Sequence, residues 1–143
     1  MTRLVVDASV AAKWYLEEQE SEQARMLVSD RFDLHAPLFL RVEMDNILLK
    51  WMRRGEIRRN HAEKIRLSLR TLPIQWHSNP DVTEKAFEWA VLLNRSIYDS
   101  IYLALGAHLS APVVSADDRL RNAVEEAQKR LGRRLVFSLA EVS

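Results

Sequence analysis

The stretch that decides the fold is LVVDASV, which spans residues 4–10. Its three leading apolar residues predict a short buried strand, and Asp7 ends that strand before a helix. The stretch PVVSADD at residues 112–118 has the same order of apolar run and aspartate. It predicts a second strand that ends shortly before Asp117. Each of the two aspartates is therefore expected at the carboxyl end of a strand.

Strands and helices alternate along the rest of the chain. Further strands are expected at residues 34–36, 74–76 and 135–137. Helical periodicity predicts helices over residues 8–14 and 21–31, from Pro37 to just before Gly55, and over 60–72, 82–93, 99–109 and 120–131. Because these connections are long enough for helical crossovers, the sheet should be mainly parallel. The prediction is a single α/β domain over residues 1–143.

Two of the predicted helices have distinctive faces. Residues 99–109 are apolar on most sides, which predicts a buried helix, and Gly106 would let it pack closely against a neighbour. The helix after Pro37 carries Val42, Asn46 and Leu49 on one face.

Composition limits the classes of function. Of the 143 residues, 48% are hydrophobic, so a packed domain is expected. The formal net charge is only +1, so a phosphate-binding protein of this composition must separate its charges in space. The absence of cysteine excludes disulfides and thiolate metal sites and is consistent with the cytoplasm. Asp7 interrupts the first apolar run too early for a signal peptide, and no apolar stretch approaches the ~20 residues that span a bilayer.

Four acidic residues are the candidate catalytic and metal-binding groups: Asp7, Glu43, Asp99 and Asp117. If they converge, their oxygens would suit one or two hard cations, with Mg²⁺ or Mn²⁺ favoured over Zn²⁺. Carboxylates held so close would repel one another, so at least one pKa would be raised until a metal bound. Such a site would support metal-assisted hydrolysis of a phosphodiester.

Each acid also has a simpler interpretation. The three aspartates precede predicted helices and could be N-caps, although Ser9 and Asp118 could take over that role from Asp7 and Asp117. Glu43 could lie on a solvated helix face or pair with Arg41. Asn46 follows Glu43 by three residues and shares its face, which is more typical of a site.

A cluster of basic residues lies between the predicted third and fourth helices. It could be a solvated surface or a face that contacts RNA phosphates, and its candidate RNA-binding members are Arg53, Arg54, Arg58, Arg59, Lys64 and Arg66. A smaller group at residues 129–134 is more typical of ordinary solvated charge at a helix end.

Four segments together resemble the PIN-domain ribonucleases, and among them the small VapC-type toxins of prokaryotic toxin–antitoxin pairs. They are VVDASV at 5–10, EMDN at 43–46, YDSIYLAL at 98–105 and VSADDRL at 114–120. The resemblance spans nearly the whole chain. No single segment is specific, but the four in this order and spacing are. The chain departs mildly from the family at Ser100, often a small apolar residue, and at Ser115, often threonine.

The resemblance implies a three-layer, PIN-like fold in which helices flank a parallel five-stranded sheet. It also implies an endoribonuclease that needs Mg²⁺ or Mn²⁺. The pocket acids would be Asp7, Glu43, Asp99 and Asp117, with Asp7 and Asp99 as the first metal ligands. The supporting polar residues would be Ser9, Asn46 and Ser115, with Asp118 competing with Asp117 to face the metal.

The resemblance also implies partners. One is a cognate antitoxin that places a basic side chain near the acidic pocket, and the other is a second copy of the chain. Phe39, Leu48 and Trp51 could supply the apolar surface of a homodimer.

Three alternative classes of protein share an acidic pocket or the fold. A receiver domain needs an acidic pair after the first strand and a lysine at the end of the last, and this chain has neither. A phosphatase of the haloacid-dehalogenase type needs Asp-x-Asp where this chain has Asp7-Ala8-Ser9. A non-catalytic RNA- or protein-binding module with the same fold is the third alternative.

Overall fold

The computed structural model describes residues 1–142. In chain order its elements are β1 (Thr2–Val6), α1 (Ala8–Tyr15), α2 (Ser21–Met26), β2 (Phe32–Pro37), α3 (Phe39–Arg53), α4 (Arg59–Thr71), β3 (Ile74–His77), α5 (Pro80–Leu93), α6 (Ile97–Leu109), β4 (Val113–Val114), α7 (Asp118–Leu131), β5 (Val136–Phe137) and α8 (Leu139–Val142).

The strands form one sheet in the order β3-β2-β1-β4-β5, and every neighbouring pair is parallel. The predicted five-stranded parallel α/β fold is confirmed. β1 lies at the centre, and its residues Leu4, Val5 and Val6 are all buried. This unbroken apolar run is expected of a strand that is covered on both faces.

The topology places a crevice at the carboxyl ends of β1 and β4. Right-handed crossovers put the helices between β1 and β3 on one face of the sheet, and those between β3 and β5 on the other. The direction of the connections therefore reverses where β1 lies between β2 and β4. In open parallel sheets, ligands bind at such a point.

α6 is the buried helix that the sequence predicts, with residues 102–106 all buried. Gly106 is the point of closest approach to the chain that leads into β4. A Cβ atom at Gly106 would lie 2.8 Å from the carbonyl oxygen of Ala111 and 3.1 Å from Val113 Cγ2. Only glycine fits there without a shift of the backbone, so the expectation of close packing is confirmed.

α3 faces the core with residues other than those that the sequence pattern emphasised. Val42 and Leu49 are 61% and 45% exposed, so the face they share with Asn46 points to solvent. The inward face carries Leu48 and Trp51, which are 3% and 6% exposed. The suggestion that these two residues supply a dimer surface is therefore wrong, because they are part of the domain's own core.

Two predicted helix boundaries are also wrong. α2 ends at Met26 and does not continue to Arg31, because hydrogen bonds from Val28 N and Ser29 N close a tight turn that returns the chain to the sheet. Pro37 ends β2 and does not begin a helix. It pairs in register with His77, and α3 starts at Phe39.

No helix within residues 1–142 combines the length and the apolar character needed to cross a membrane.

Candidate active site

All four predicted acids follow the carboxyl ends of strands or lie in the first turns of helices near that edge. Asp7 follows β1, and Asp117 lies three residues beyond β4. Glu43 is in the second turn of α3, which follows β2, and Asp99 is in the first turn of α6. A helix N-terminus carries partial positive charge, which favours a nearby carboxylate. The N-terminal ends of α1, α3, α6 and α7 all lie at this edge.

Asp7 is the most buried of the four acids, with 6% of its surface exposed. It is the N-cap of α1, and its Oδ1 accepts hydrogen bonds from Val10 N at 3.2 Å and from Ser9 Oγ at 2.6 Å. Burial raises the pKa of Asp7 above its ordinary value, hydrogen bonds with Ser115 and Ser9 oppose this, and the charge of Asp117 adds to the rise. A bound cation would relieve the cost of this buried charge.

Two serines connect the loop after β1 to the loop after β4. The hydroxyl oxygens of Ser9 and Ser115 lie 3.4 Å apart. Ser9 Oγ accepts from Ala116 N at 2.9 Å, and Ser115 Oγ accepts from Asp117 N at 3.0 Å. The predicted supporting serines are thus brought together, and they fix the positions of the two aspartates relative to each other.

Glu43 is held by a residue that the sequence pattern did not identify. The hydroxyl of Tyr102, on buried α6, donates a short hydrogen bond to Glu43 Oε1. Burial raises the pKa of Glu43, the bond from Tyr102 lowers it, and the charges of Asp7 and Asp99 raise it further. Burial and Glu43 together hold the pKa of Tyr102 well above its usual value. The three-residue spacing from Asp99 to Tyr102 was the available signal.

Asp99 is not an N-cap. Ser96 caps α6 by accepting from Asp99 N at 3.1 Å, so the helix begins two residues before the predicted boundary. The Asp99 carboxylate instead accepts a hydrogen bond from Arg95 Nη2 at 2.9 Å. Arg95 is the second residue of this site that the sequence pattern did not identify.

Asp117 and Asp118 have different roles. Asp117 is the N-cap of α7 and accepts from Arg119 N at 2.9 Å, and its charge is felt by Asp7. The side chain of Asp118 is 81% exposed and pairs with Arg121. Asp117 is therefore the member of the doublet that is coupled to the other acids. Asp7 and Asp117 therefore each cap a helix and are also members of the candidate site.

The acids are electrostatically coupled but do not form a finished metal cage. Over residues 1–142, no three acidic or histidine side chains are arranged to hold an ion as they stand. Asp99 is turned toward Arg95, Glu43 toward Tyr102 and Asp117 toward its own helix. Asn46, a predicted supporting residue, is exposed on α3.

The donor set nevertheless fits a hard divalent cation. All the candidate ligands are carboxylates, which is the chemistry that Mg²⁺ and Mn²⁺ prefer. The pKa of both Asp7 and Glu43 is raised by burial and by neighbouring negative charge, and a cation would reverse this penalty.

The basic cluster is only partly available for RNA. Arg66 forms ion pairs with Asp45 at 2.8 Å and with Glu63 at 3.3 Å, and Arg59 pairs with Glu63 at 3.5 Å. The other predicted RNA-binding residues lie exposed around the turn between α3 and α4; they are Arg53, Arg54, Arg58 and Lys64.

Comparison with known proteins identifies the family of this chain. The model of the PIN domain family matches residues 4–126. Ribonuclease VapC3 from Pyrobaculum aerophilum is 33% identical over 120 residues, which are 82% of this chain and 92% of that protein.

Two solved structures share the fold. One is VapC20 of Mycobacterium tuberculosis, described as a sarcin–ricin loop cleaving toxin, with a TM-score of 0.64 and 16% identity over 84% of this chain and 94% of the other. The second is a toxin–antitoxin complex from Klebsiella pneumoniae, with a TM-score of 0.59 and 15% identity over 80% of this chain and 86% of the other. The family match covers most of the sequence and every candidate acid. The chain therefore belongs to the PIN-domain family and is a relative of the VapC ribonucleases.

Proposed function

We propose that the protein is an endoribonuclease that hydrolyses RNA phosphodiester bonds with Mg²⁺ or Mn²⁺, and that it is the toxin of a type II toxin–antitoxin pair. One observation carries this proposal. Asp7 is buried where the direction of the strand connections reverses, its pKa is raised, and its charge interacts with those of Asp117 and Glu43. The family relationship favours this chemistry over a receiver domain, a phosphatase or a non-catalytic module.

Each acid has a distinct task. Asp7 and Asp99 are the first ligands for one or two divalent cations, which when bound supply Lewis acidity and a more acidic water. Ser9 and Val10 N hold the Asp7 carboxylate in place, so one of its oxygens has a fixed position. Glu43, with its raised pKa, takes up a proton from the attacking water. Asp117 contributes further negative charge next to Asp7.

RNA has to be held by cations outside the acidic pocket, because the pocket itself repels phosphate. The exposed cations at the end of α3, in the turn and at the start of α4 supply this attraction: Arg53, Arg54, Arg58 and Lys64. Arg66 contributes less to RNA binding than the sequence suggests, because its guanidinium already pairs with Asp45 and Glu63.

An antitoxin is the proposed protein partner. The Klebsiella relative was solved as a toxin–antitoxin complex. In the present chain, a groove of about 260 Å³ runs between α3 and α4. Leu49 and Met52 contribute to its floor and Arg59 and Glu63 to its charged rim, which suits an amphipathic helix. We place the pair in the cytoplasm, where its RNA substrate is found.

A homodimer is also proposed, through a surface other than the one suggested by the sequence. Leu38 and Val42 are large apolar residues of the α3 region that face solvent and lie outside the groove proposed for the antitoxin. Sedimentation at micromolar concentration tests this, and a monomer would count against it.

Cleavage of labelled RNA with Mn²⁺, with and without a chelator, tests the proposed activity. We expect wild type to cleave the RNA and the chelator to abolish cleavage. Asp7→Asn and Asp99→Asn should each lower the cleavage rate by at least ~100-fold, because each removes a proposed metal ligand. Asp81→Asn is the matched control, since Asp81 is also in the first turn of a helix but outside the site. Cleavage by both site variants at the wild-type rate would refute the assigned roles.

A further inference from the structure

Arg95 occupies a rigid corner beside the acidic pocket. Asn94, which ends α5, has a left-handed backbone with φ of 52°, and Ser96 is the N-cap of α6. Between them, Arg95 N donates to Ala90 O at 3.2 Å. The α5–α6 corner therefore fixes the backbone from which the Arg95 side chain extends.

The guanidinium of Arg95 is only partly satisfied. Its Nη2 donates to Asp99 at 2.9 Å, and the side chain is 28% exposed. Its Nε is buried and has no hydrogen-bond partner among residues 1–142. A buried donor without an acceptor costs free energy, so a rearrangement that brings an acceptor to Arg95 Nε would be favoured.

Arg95 is also a cation that hydrogen-bonds to one of the four acids, whereas Arg119 approaches Asp117 only to 3.8 Å. A divalent ion that binds Asp99 through Oδ2 competes with Arg95, because Arg95 Nη2 donates to that oxygen, and the two positive charges repel each other. A guanidinium released from Asp99 would present several N–H donors in a planar fork, which is the geometry that matches phosphate oxygens.

We propose that Arg95 is a substrate-positioning residue that exchanges partners: it pairs with Asp99 while the metal is absent and binds a phosphate oxygen of the RNA once the metal holds Asp99. This deepens the proposed ribonuclease function and rests on it. The pairing with Asp99 keeps the acidic pocket partly neutralised before metal binds. The exchange then couples metal binding to capture of the phosphate.

Isothermal titration of the protein with Mn²⁺ alone tests the first half. Arg95→Gln should bind Mn²⁺ about tenfold more tightly than wild type, because a competing positive charge at hydrogen-bond distance is removed. Arg95→Lys keeps the charge and should stay close to wild type. Lys85→Gln, which removes an exposed cation paired with Glu88 on α5, controls for net charge. This readout does not depend on RNA cleavage.

Steady-state cleavage of a labelled RNA with saturating Mn²⁺ tests the second half. We expect Arg95→Gln to raise KM about tenfold, and Arg95→Lys to restore part of the wild-type affinity because it retains a point charge without the fork. Circular dichroism checks that each variant is folded.

Unchanged or weaker Mn²⁺ binding by Arg95→Gln would overturn the partner exchange, and so would an unchanged KM. If wild type cleaves no RNA while Arg95→Gln still binds Mn²⁺ more tightly, the competition with metal stands and the ribonuclease function fails.

Discussion

Asp7 shows how one side chain can serve both the fold and the chemistry. Its Oδ1 caps α1 through Val10 N, yet the carboxylate is almost fully buried beside Asp117 and carries a raised pKa. A charge in this environment lowers the stability of the metal-free protein. Asp7, the residue best placed to bind a cation, thus lowers the free energy of unfolding of the metal-free protein.

Asp7→Asn should therefore stabilise the metal-free protein at neutral pH. The raised pKa means that the native state binds a proton more readily than the unfolded chain. Wild-type stability then falls as pH rises from below the ordinary carboxyl range through the raised pKa. Asparagine keeps the cap and removes the titration. We expect a gain of about 1 kcal/mol near pH 7 and almost none near pH 3, measured by urea unfolding in chelator.

The sign of this effect is the informative part. A variant that is less stable than wild type near pH 7, with the difference unchanged in acid, would mean that the Asp7 carboxylate is not strained by its burial. Excess Mn²⁺ should reverse the order, because only wild type gains the linkage stabilisation, about 2.7 kcal/mol at 100 times Kd.

The Tyr102 hydroxyl donates a hydrogen bond to Glu43. Removing that hydroxyl should therefore lower activity without disturbing the packing of the core. In Tyr102→Phe the ring remains in place, and the hydrogen bond to Glu43 is removed. Side chains that orient a site carboxylate by a hydrogen bond typically contribute ~10–100-fold to activity, and we expect a decrease in kcat within that range because Glu43 is the proposed proton acceptor. Tyr15→Phe is the matched control, since it deletes a half-buried hydroxyl that bonds only to Ser68. Equal activity of the two variants would remove Tyr102 from the site.

At the scale of elements, the region around the turn between α3 and α4 is the segment that we propose attracts RNA. Replacing Arg53, Arg54, Arg58 and Lys64 by Gln should weaken RNA binding and make it less dependent on salt. For every phosphate that is no longer neutralised by a cation, the slope of log K against log salt should fall by about 0.7 for a single strand. Fluorescence anisotropy across a salt series measures this slope.

The control for this experiment is a pair of exposed cations on another helix. Lys129→Gln with Arg130→Gln, on α7, removes positive charge at a distance from the α3–α4 turn. If this pair flattens the salt dependence as much as the four substitutions do, RNA responds to net charge and not to a defined face.

The limits of sequence prediction are also clearest in particular elements. β1 and α6 could be predicted because an apolar run of the right length leaves few alternatives, and Gly106 marked the close approach correctly. The end of α2 could not be predicted, because the turn that follows it is set by the return of the chain to the sheet and not by a local sequence pattern. The core face of α3 was misjudged because Val42 and Leu49 are as apolar as the residues that are buried.

The sequence indicates the acids of the candidate site but not the side chains that pair with them. Asp7 and Asp117 follow apolar runs, and that local pattern is visible in the sequence. Arg95 and Tyr102 become part of the site through the three-dimensional position of α6, although both are within four residues of Asp99. The three-residue spacing from Asp99 to Tyr102 was the one local signal for these partners, and Arg95 had none.

At the scale of the whole molecule, the sheet order places distant segments at one edge. Residues 7, 43, 99 and 117 are brought to this edge, where their charges influence one another, because β1 lies between β2 and β4 and because α6 packs across the sheet. The formal net charge of +1 is therefore divided into an acidic pocket and a basic turn. Such a division is what the proposed binding of both a cation and a polyanion by a nearly neutral chain requires.

The most direct measurement is anomalous diffraction from crystals of the wild-type protein grown with Mn²⁺. We expect an anomalous peak at the carboxyl ends of β1 and β4, within ~2.0–2.3 Å of oxygens of Asp7 and Asp99, with Arg95 turned away from Asp99. Crystals of Asp7→Asn grown in the same way should lack the peak. A wild-type map without manganese between these two carboxylates, at an ion concentration that supports cleavage of RNA, would contradict the shared-metal site.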